Sequence, residues 1–166
     1  MHTADLPLLR DATAADIPAL KALIFAHGPN PWNYLPEEEV NAHLDGIADG
    51  STRAVVAEQG GTLIGLASFQ IIRRFPRYER APHGYIAEVV VHRDHAGRGI
   101  GSALLEACRQ RLQALGVARI YIDRHEENRA SAGMMRKAGF VEVETFPDPE
   151  RRSSGSRRTT VCRWAG

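Results

Sequence analysis

Apolar positions along the chain change period several times, and each change predicts an element. Leu6 to Arg10 reads as a short strand. Beyond it, Ile17, Leu20, Leu23, Ile24 and Ala26 recur at helical spacing behind Thr13 or Asp16, either of which suits an N-cap. Gly28, Pro29 and Pro31 end that helix, and Pro36 opens a second one with Glu37, Glu38 and Glu39 in its first turn, where the helix dipole favours acids. Two β-rich runs around Gly60-Gly61, in "TRAVVAEQGGTLIGLASFQII", predict a hairpin. Arg73 to His83 is basic, carries Pro76 and Pro82, and reads as a loop.

The second half alternates more regularly. "YIAEVVVH" is a strand, followed by a glycine-rich connection and a helix to about Leu115 whose stripe is Ile100, Leu104, Cys108, Leu112 and Leu115. "ARIYID" predicts a strand, "ENRASAGMMRKAG" a helix closed by Gly139, "FVEVETF" a strand, and "RRTTVCRW" the last strand after the loop "DPERRSSGSRR". Hairpins mixed with crossover units imply an α/β (α+β) sandwich: one mixed, mostly antiparallel sheet of about seven strands with helices on both faces. The length of 166 residues fits one domain, without repeats or linkers.

Charge narrows the partners. With 21 Lys+Arg against 20 Asp+Glu the net charge is +1, which argues against a general nucleic-acid or membrane-surface binder. Only Lys21 and Lys137 are lysines, a bias that genome composition explains before anion recognition does. Cys108 and Cys162 have neither disulfide-scaffold nor zinc-site spacing, and no histidine pair has ligand spacing with a third partner, so no metal is expected. The N-terminus lacks a basic segment followed by a long apolar run, and no stretch approaches 18 apolar residues, which predicts a cytoplasmic protein.

The stretch "HRDHAGRGIGSALLEA" carries the first chemistry. Free N–H groups at a helix start, helped by the dipole, receive phosphate oxygens, and glycines let a bulky anion approach the backbone. A Walker A loop needs Gly followed by Lys, a pair this chain lacks. The dinucleotide fingerprint fails as well, because Ser102 stands where its third glycine belongs and too little chain follows for its sheet. The stretch instead resembles the signature of the GNAT superfamily of N-acetyltransferases, Arg/Gln-x-x-Gly-x-Gly/Ala, over Ala96, Gly97, Arg98, Gly99, Ile100 and Gly101. Ala96 departs from the pattern, at the cost of one side-chain contact. The resemblance extends to the opening strand and helix, to the Gly60-Gly61 hairpin, and to "NRASAGMMRKAGF", where Asn128, Ser131, Met134, Met135, Gly139 and Phe140 follow the family's second motif.

The resemblance implies acetyl-CoA as donor. It places the backbone of Val89, Val90 and Val91 along the pantetheine arm, Ala96 to Ser102 (with Arg98 toward a phosphate) around the pyrophosphate, and Asn128 near the cofactor arm. Acetyl transfer to an amine also needs a proton acceptor. Glu88 is the candidate, since a charge inside "YIAEVVVH" is costly unless it faces a cleft or a partner, and many members of the family carry a base on this strand. Strict alternation puts Glu88 on one face with Ile86, Val90 and His92, opposite Tyr85, Ala87 and Val89. Met135 stands where the family often has a proton-donating Tyr, leaving Tyr121 or water for that role. His92 could join a water chain, whereas His27, His43 and His125 read as surface or helix-end residues.

The acceptor pocket is expected between the Gly28 to Pro36 connection and the Arg73 to His83 loop, with Trp32 and Tyr34 either enclosing a ligand or packing the loop. Arg73, Arg74, Arg77 and Arg80, with Arg151, Arg152, Arg157 and Arg158, could attract an anionic acceptor. The leading expectation is transfer of acetyl to a small-molecule primary amine in a ternary complex. A non-catalytic acyl-CoA sensor and a protein Nα or Lys acetyltransferase are the alternatives. Dimers are frequent in the family, so a homodimer is a further expectation.

Overall fold

The computed structural model describes residues 7–166. One seven-stranded sheet runs β1-β2-β3-β4-β5-β7-β6. Its strands are β1 (Leu8–Asp11), β2 (Arg53–Gln59), β3 (Thr62–Ile72), β4 (His83–Val91), β5 (Ile120–His125), β6 (Phe140–Pro147) and β7 (Arg158–Trp164), and its helices are α1 (Ile17–His27), α2 (Glu37–Asp45), α3 (Ile100–Ala114) and α4 (Arg129–Lys137). The element order is the one the sequence predicts. The first strand starts at Leu8, and Leu6 lies outside the described residues. The β4–β5 pair is parallel and the others are antiparallel.

Each face of the sheet has its own core. Leu104, Leu105, Cys108 and Leu112 of α3 are fully buried against Val55, Ala67, Phe69 and Ile86, each large side chain contributing about 1.5–3 kcal/mol of apolar burial. On the other face Leu20, Leu23 and Ile24 of α1 and Val40 and Leu44 of α2 enclose Val56, Leu66 and Val90. A third cluster gathers Phe75, Tyr85, Tyr121 and Val161 where the Arg73 to His83 loop folds back on the sheet.

Two irregularities in β4 position the site. Its register with β3 runs Ser68↔Glu88 and then Phe69↔Ile86, so Ala87 is a bulge. Beside the bulge the strand also parts from β5, the ladder between them holding only Gly84↔Ile120, Tyr85↔Tyr121 and Ile86↔Ile122. An extra residue sharpens the local twist and diverts the strand. From Ala87 onward one edge of β4 therefore faces a notch instead of a neighbour.

Candidate active site

The notch is lined on one side by Val89 and Val91 of β4 and on the other by Ala130, Ser131, Gly133, Met134 and Lys137 of α4, with Ala96, Gly97, Gly99, Ile100, Gly101 and Ser102 closing its end. This groove has a volume of about 390 Å³. Gly97 and Gly99 have φ of +78° and +79°, and a Cβ on either would meet nothing within 4 Å, so the turn is glycine-rich for conformation and for open approach. Gly99 is the N-cap of α3, and the first residues of that helix, Ile100, Gly101 and Ser102, whose N–H groups lack partners within the helix, border the same end of the groove.

Three residues expected on the cofactor also make contacts within the protein. The Val90 side chain packs into the core under α1. The Arg98 guanidinium lies 2.8 Å from His95 Nδ1 on the exposed loop. The Asn128 Oδ1 accepts from the Ser131 N–H at 3.2 Å, which makes it the N-cap of α4. Sequence reading missed the α4 wall, although Ala130, Gly133, Met134 and Lys137 fall at i, i+3, i+4 and i+7 and so share one face.

Glu88 lies where two further cavities meet. One, of about 80 Å³, adjoins the groove through Val89, Ser131 and Met134. The other, of about 450 Å³, opens between the α1–α2 loop and the Arg73 to His83 loop and is bounded by Tyr34, His43, Arg74, Tyr85 and Arg151. The bulge sets the direction of the carboxyl and corrects the alternation expected from sequence. Ile86 shares the α3 core with Val89 and Val91, while Glu88 pairs with Ser68, whose hydroxyl is 2.8 Å from His43 of α2. Burial pushes the Glu88 carboxyl up to about 8, helped by the charge of Asp123 and opposed by Arg151 and Arg152. His43, read from sequence as a surface or helix-end residue, lies in the last turn of α2 and is half-buried, and burial lowers its pKa, which favours the neutral ring.

Asp123 anchors the far wall. Its side chain is 5% exposed and receives Arg151 Nη1 at 2.8 Å, with Arg74 at 3.7 Å and Arg152 at 3.8 Å. The Tyr85 hydroxyl donates to it at 3.1 Å. Of the eight loop arginines considered from sequence, these three reach the cleft; Arg73, Arg77, Arg80, Arg157 and Arg158 are exposed.

The Gly28 to Pro36 connection is fastened from within and from the last loop. Asn30 Oδ1 accepts from the N–H of Trp32 and Asn33, Arg152 Nη1 donates to the Trp32 carbonyl at 3.4 Å, and Ser154 donates to the Pro31 carbonyl. Tyr34 borders both cavities at Glu88, whereas Trp32 borders neither. Tyr121 is fully buried among Phe75, Tyr78 and His83 and touches no cavity at the site, so it is in no position to donate a proton there. Met135 borders the small cavity and supplies no proton. The His92 ring packs tilted against His27 at 3.8 Å, away from Glu88's cavities, and His125, expected at the surface or a helix end, is buried with Nε2 2.8 Å from the Ser154 carbonyl.

Among the described residues no cluster of three metal-ligating side chains occurs, and no helix is long and apolar enough to cross a membrane.

Residues 17–140 match the model of the Acetyltransferase (GNAT) family. An L-methionine sulfoximine/L-methionine sulfone acetyltransferase of Pseudomonas paraeruginosa is 30% identical over 138 residues, which are 80% of this chain and 78% of that protein. The N-alpha-acetyltransferase RimI of Mycobacterium tuberculosis is 31% identical, the match spanning 81% of this chain and 77% of that one. The fold is similar to that of a proposed acetyltransferase of Salmonella typhimurium solved with its cofactor acetyl-CoA, at a TM-score of 0.75 and 20% identity over 95% of this chain and 92% of that one.

Proposed function

The chain belongs to the GNAT acetyltransferase family and takes acetyl-CoA as its donor, and from that premise we propose that it acetylates a primary amine of a small molecule with Glu88 as the general base. The observation that carries the reading is the place of Glu88, between the groove that the glycine turn closes and a separate cavity of about 450 Å³.

The groove fits the donor. The unpaired edge of β4 at Val89 and Val91 offers backbone groups to an amide-bearing arm, as an open strand edge can. The open space at Gly97 and Gly99 and the start of α3 suit a diphosphate, and Lys137 adds a cation on the opposite wall. When bound, acetyl-CoA supplies the acetyl thioester that an amine attacks directly.

The remaining chemistry belongs to the chain. Glu88 takes the proton of the incoming ammonium, and its raised pKa brings it nearer that of the amine than an ordinary carboxyl would be. Tyr34 and the β4 bulge hold the acceptor side of the site narrow and partly shielded from water. A thiol is acidic enough to leave as thiolate and take its proton from water, so the methionine at position 135 removes no indispensable step.

Acetylation of a protein N-terminus is the second reading, favoured by the likeness to RimI. The wall that Tyr34 and Pro36 raise beside Glu88 supports a small acceptor over an extended chain. The test is thiol release from acetyl-CoA over a panel of small amines and N-terminal peptides, with CoA binding followed by thermal shift. Turnover of small amines that Glu88→Gln abolishes while the CoA shift persists is the expected result. Turnover confined to peptides would replace the small acceptor with a protein.

A further inference from the structure

Charges around the acceptor cavity do not balance. Three guanidiniums, of Arg74, Arg151 and Arg152, surround the buried carboxylate of Asp123. The nearest other acid on that wall is Asp148, 3.8 Å from Arg151 and already accepting from the Thr159 hydroxyl at 2.7 Å. Glu39 and Glu150 are exposed at the cavity rim, where water screens them. While Glu88 is protonated, one positive charge is left over on the floor of a site that must also admit an ammonium.

The three arginines do not share one role. Arg152 is buried and spent on structure, with Nε on the Thr159 hydroxyl at 2.9 Å and Nη1 on the Trp32 carbonyl. Arg74 and Arg151 both line the cavity that Glu88 borders. Asp123 fixes Arg151 by a direct bond, and Arg74 lies over the rings of Phe75 and Tyr85 at 4.9 and 5.2 Å. Both are thus held before any ligand arrives, which lowers the entropy cost of using them.

We propose that Arg74 and Arg151 form an anion anchor that selects amines bearing their own carboxylate a few atoms from the nitrogen. The inference rests on the acetyltransferase reading and names its acceptor class. A simple cationic amine meets an uncompensated positive wall. A zwitterionic amino acid brings the compensating charge, puts its carboxylate on the guanidinium forks, and leaves its ammonium toward Glu88. Planar guanidiniums suit a carboxylate by paired N–H donors.

The test uses sets of three acceptors with one side chain: the α-amino acid, its carboxamide, and the amine without the carboxyl carbon. Kinetics are measured on the wild-type protein and on Arg74→Gln. The wild type is expected to favour the acid by about 10- to 100-fold in kcat/KM, the worth of a charge-assisted hydrogen bond or two. Arg74→Gln is expected to collapse that preference toward unity, mostly through KM. Equal use of acid and carboxamide by the wild type, or a preference unchanged in Arg74→Gln, would overturn the anchor and leave the acetyltransferase reading intact. CoA binding with no turnover of any amine would overturn that reading and the anchor with it.

Discussion

Replacing Glu88 by Gln should damage catalysis and stabilise the fold at once. The carboxyl titrates at about 8 in the folded protein against an ordinary 4.5, with burial as the main cause. Its folded pKa is raised, so the native state binds the proton more tightly than the unfolded chain does. Below 4.5 both states are protonated and the group is neutral to stability; between 4.5 and 8 the native state pays an increasing cost, which levels off above 8. At pH 7 the shift is worth about 3 kcal/mol at most, and water in the adjoining cavities reduces this to about 1–2 kcal/mol. Gln fills the same space without the charge. Glu88→Gln should therefore melt roughly 2–8 °C above wild type at pH 7 and equal to it near pH 4.5, while losing about 10²- to 10⁴-fold in kcat. Thermal melts and turnover between pH 4.5 and 9.5 test both halves. Wild-type kcat/KM should rise about tenfold from pH 7 to 9 as the base ionises. A constant melting difference at every pH, or a flat rate profile, would refute the buried base.

Three other outcomes follow from the same geometry. Gly99→Ala forces a side chain into a φ of +79° at the start of α3, so it should cost about 1–2 kcal/mol in chemical denaturation and weaken CoA binding in calorimetry. Asn128→Ala removes a helix cap and should lower stability by about 0.5–2 kcal/mol with KM for acetyl-CoA little changed; a large rise in KM would place Asn128 at the cofactor as well as at the cap. Burial pushes the Cys108 and Cys162 thiols up to about 12 and about 11, so the native protein should show no reaction with a colorimetric thiol reagent until it is denatured.

What the sequence displayed and what it withheld divide along the reach of the interactions. The hairpin at Gly60 and Gly61 and the apolar stripe of α3 are written within a few residues, and local patterning recovers them. The glycine turn was legible for the same reason. The Asn128 cap was equally local, an Asn at the head of a helix. The bulge at Ala87 belongs instead to the pairing of β4 with β3, in which Glu88 meets Ser68 from 20 positions earlier. Alternation counted along β4 alone carries no sign of it, and so it assigned Ile86 and Glu88 to one face.

Asp123 was the most deeply hidden. It closes "ARIYID" as an ordinary polar end to a strand, and nothing nearby in the chain marks it. Its partners come from β4, from the loop before β4 and from the loop before β7, so the cluster exists only after the sheet has assembled. That assembly also changes what the arginines mean. Five of the eight loop arginines are exposed, as a basic loop predicts. The other three are drawn inward by one carboxylate, and a buried acid with three cations around it is costly to build unless something else in the cavity uses the surplus. The same balance bears on Glu88. Asp123 and the arginines act on its pKa in opposite directions, and burial, not either charge, decides the outcome. An arriving carboxylate would neutralise the arginines that favour the charged base, so acceptor binding should raise the affinity of Glu88 for the ammonium proton it has to remove.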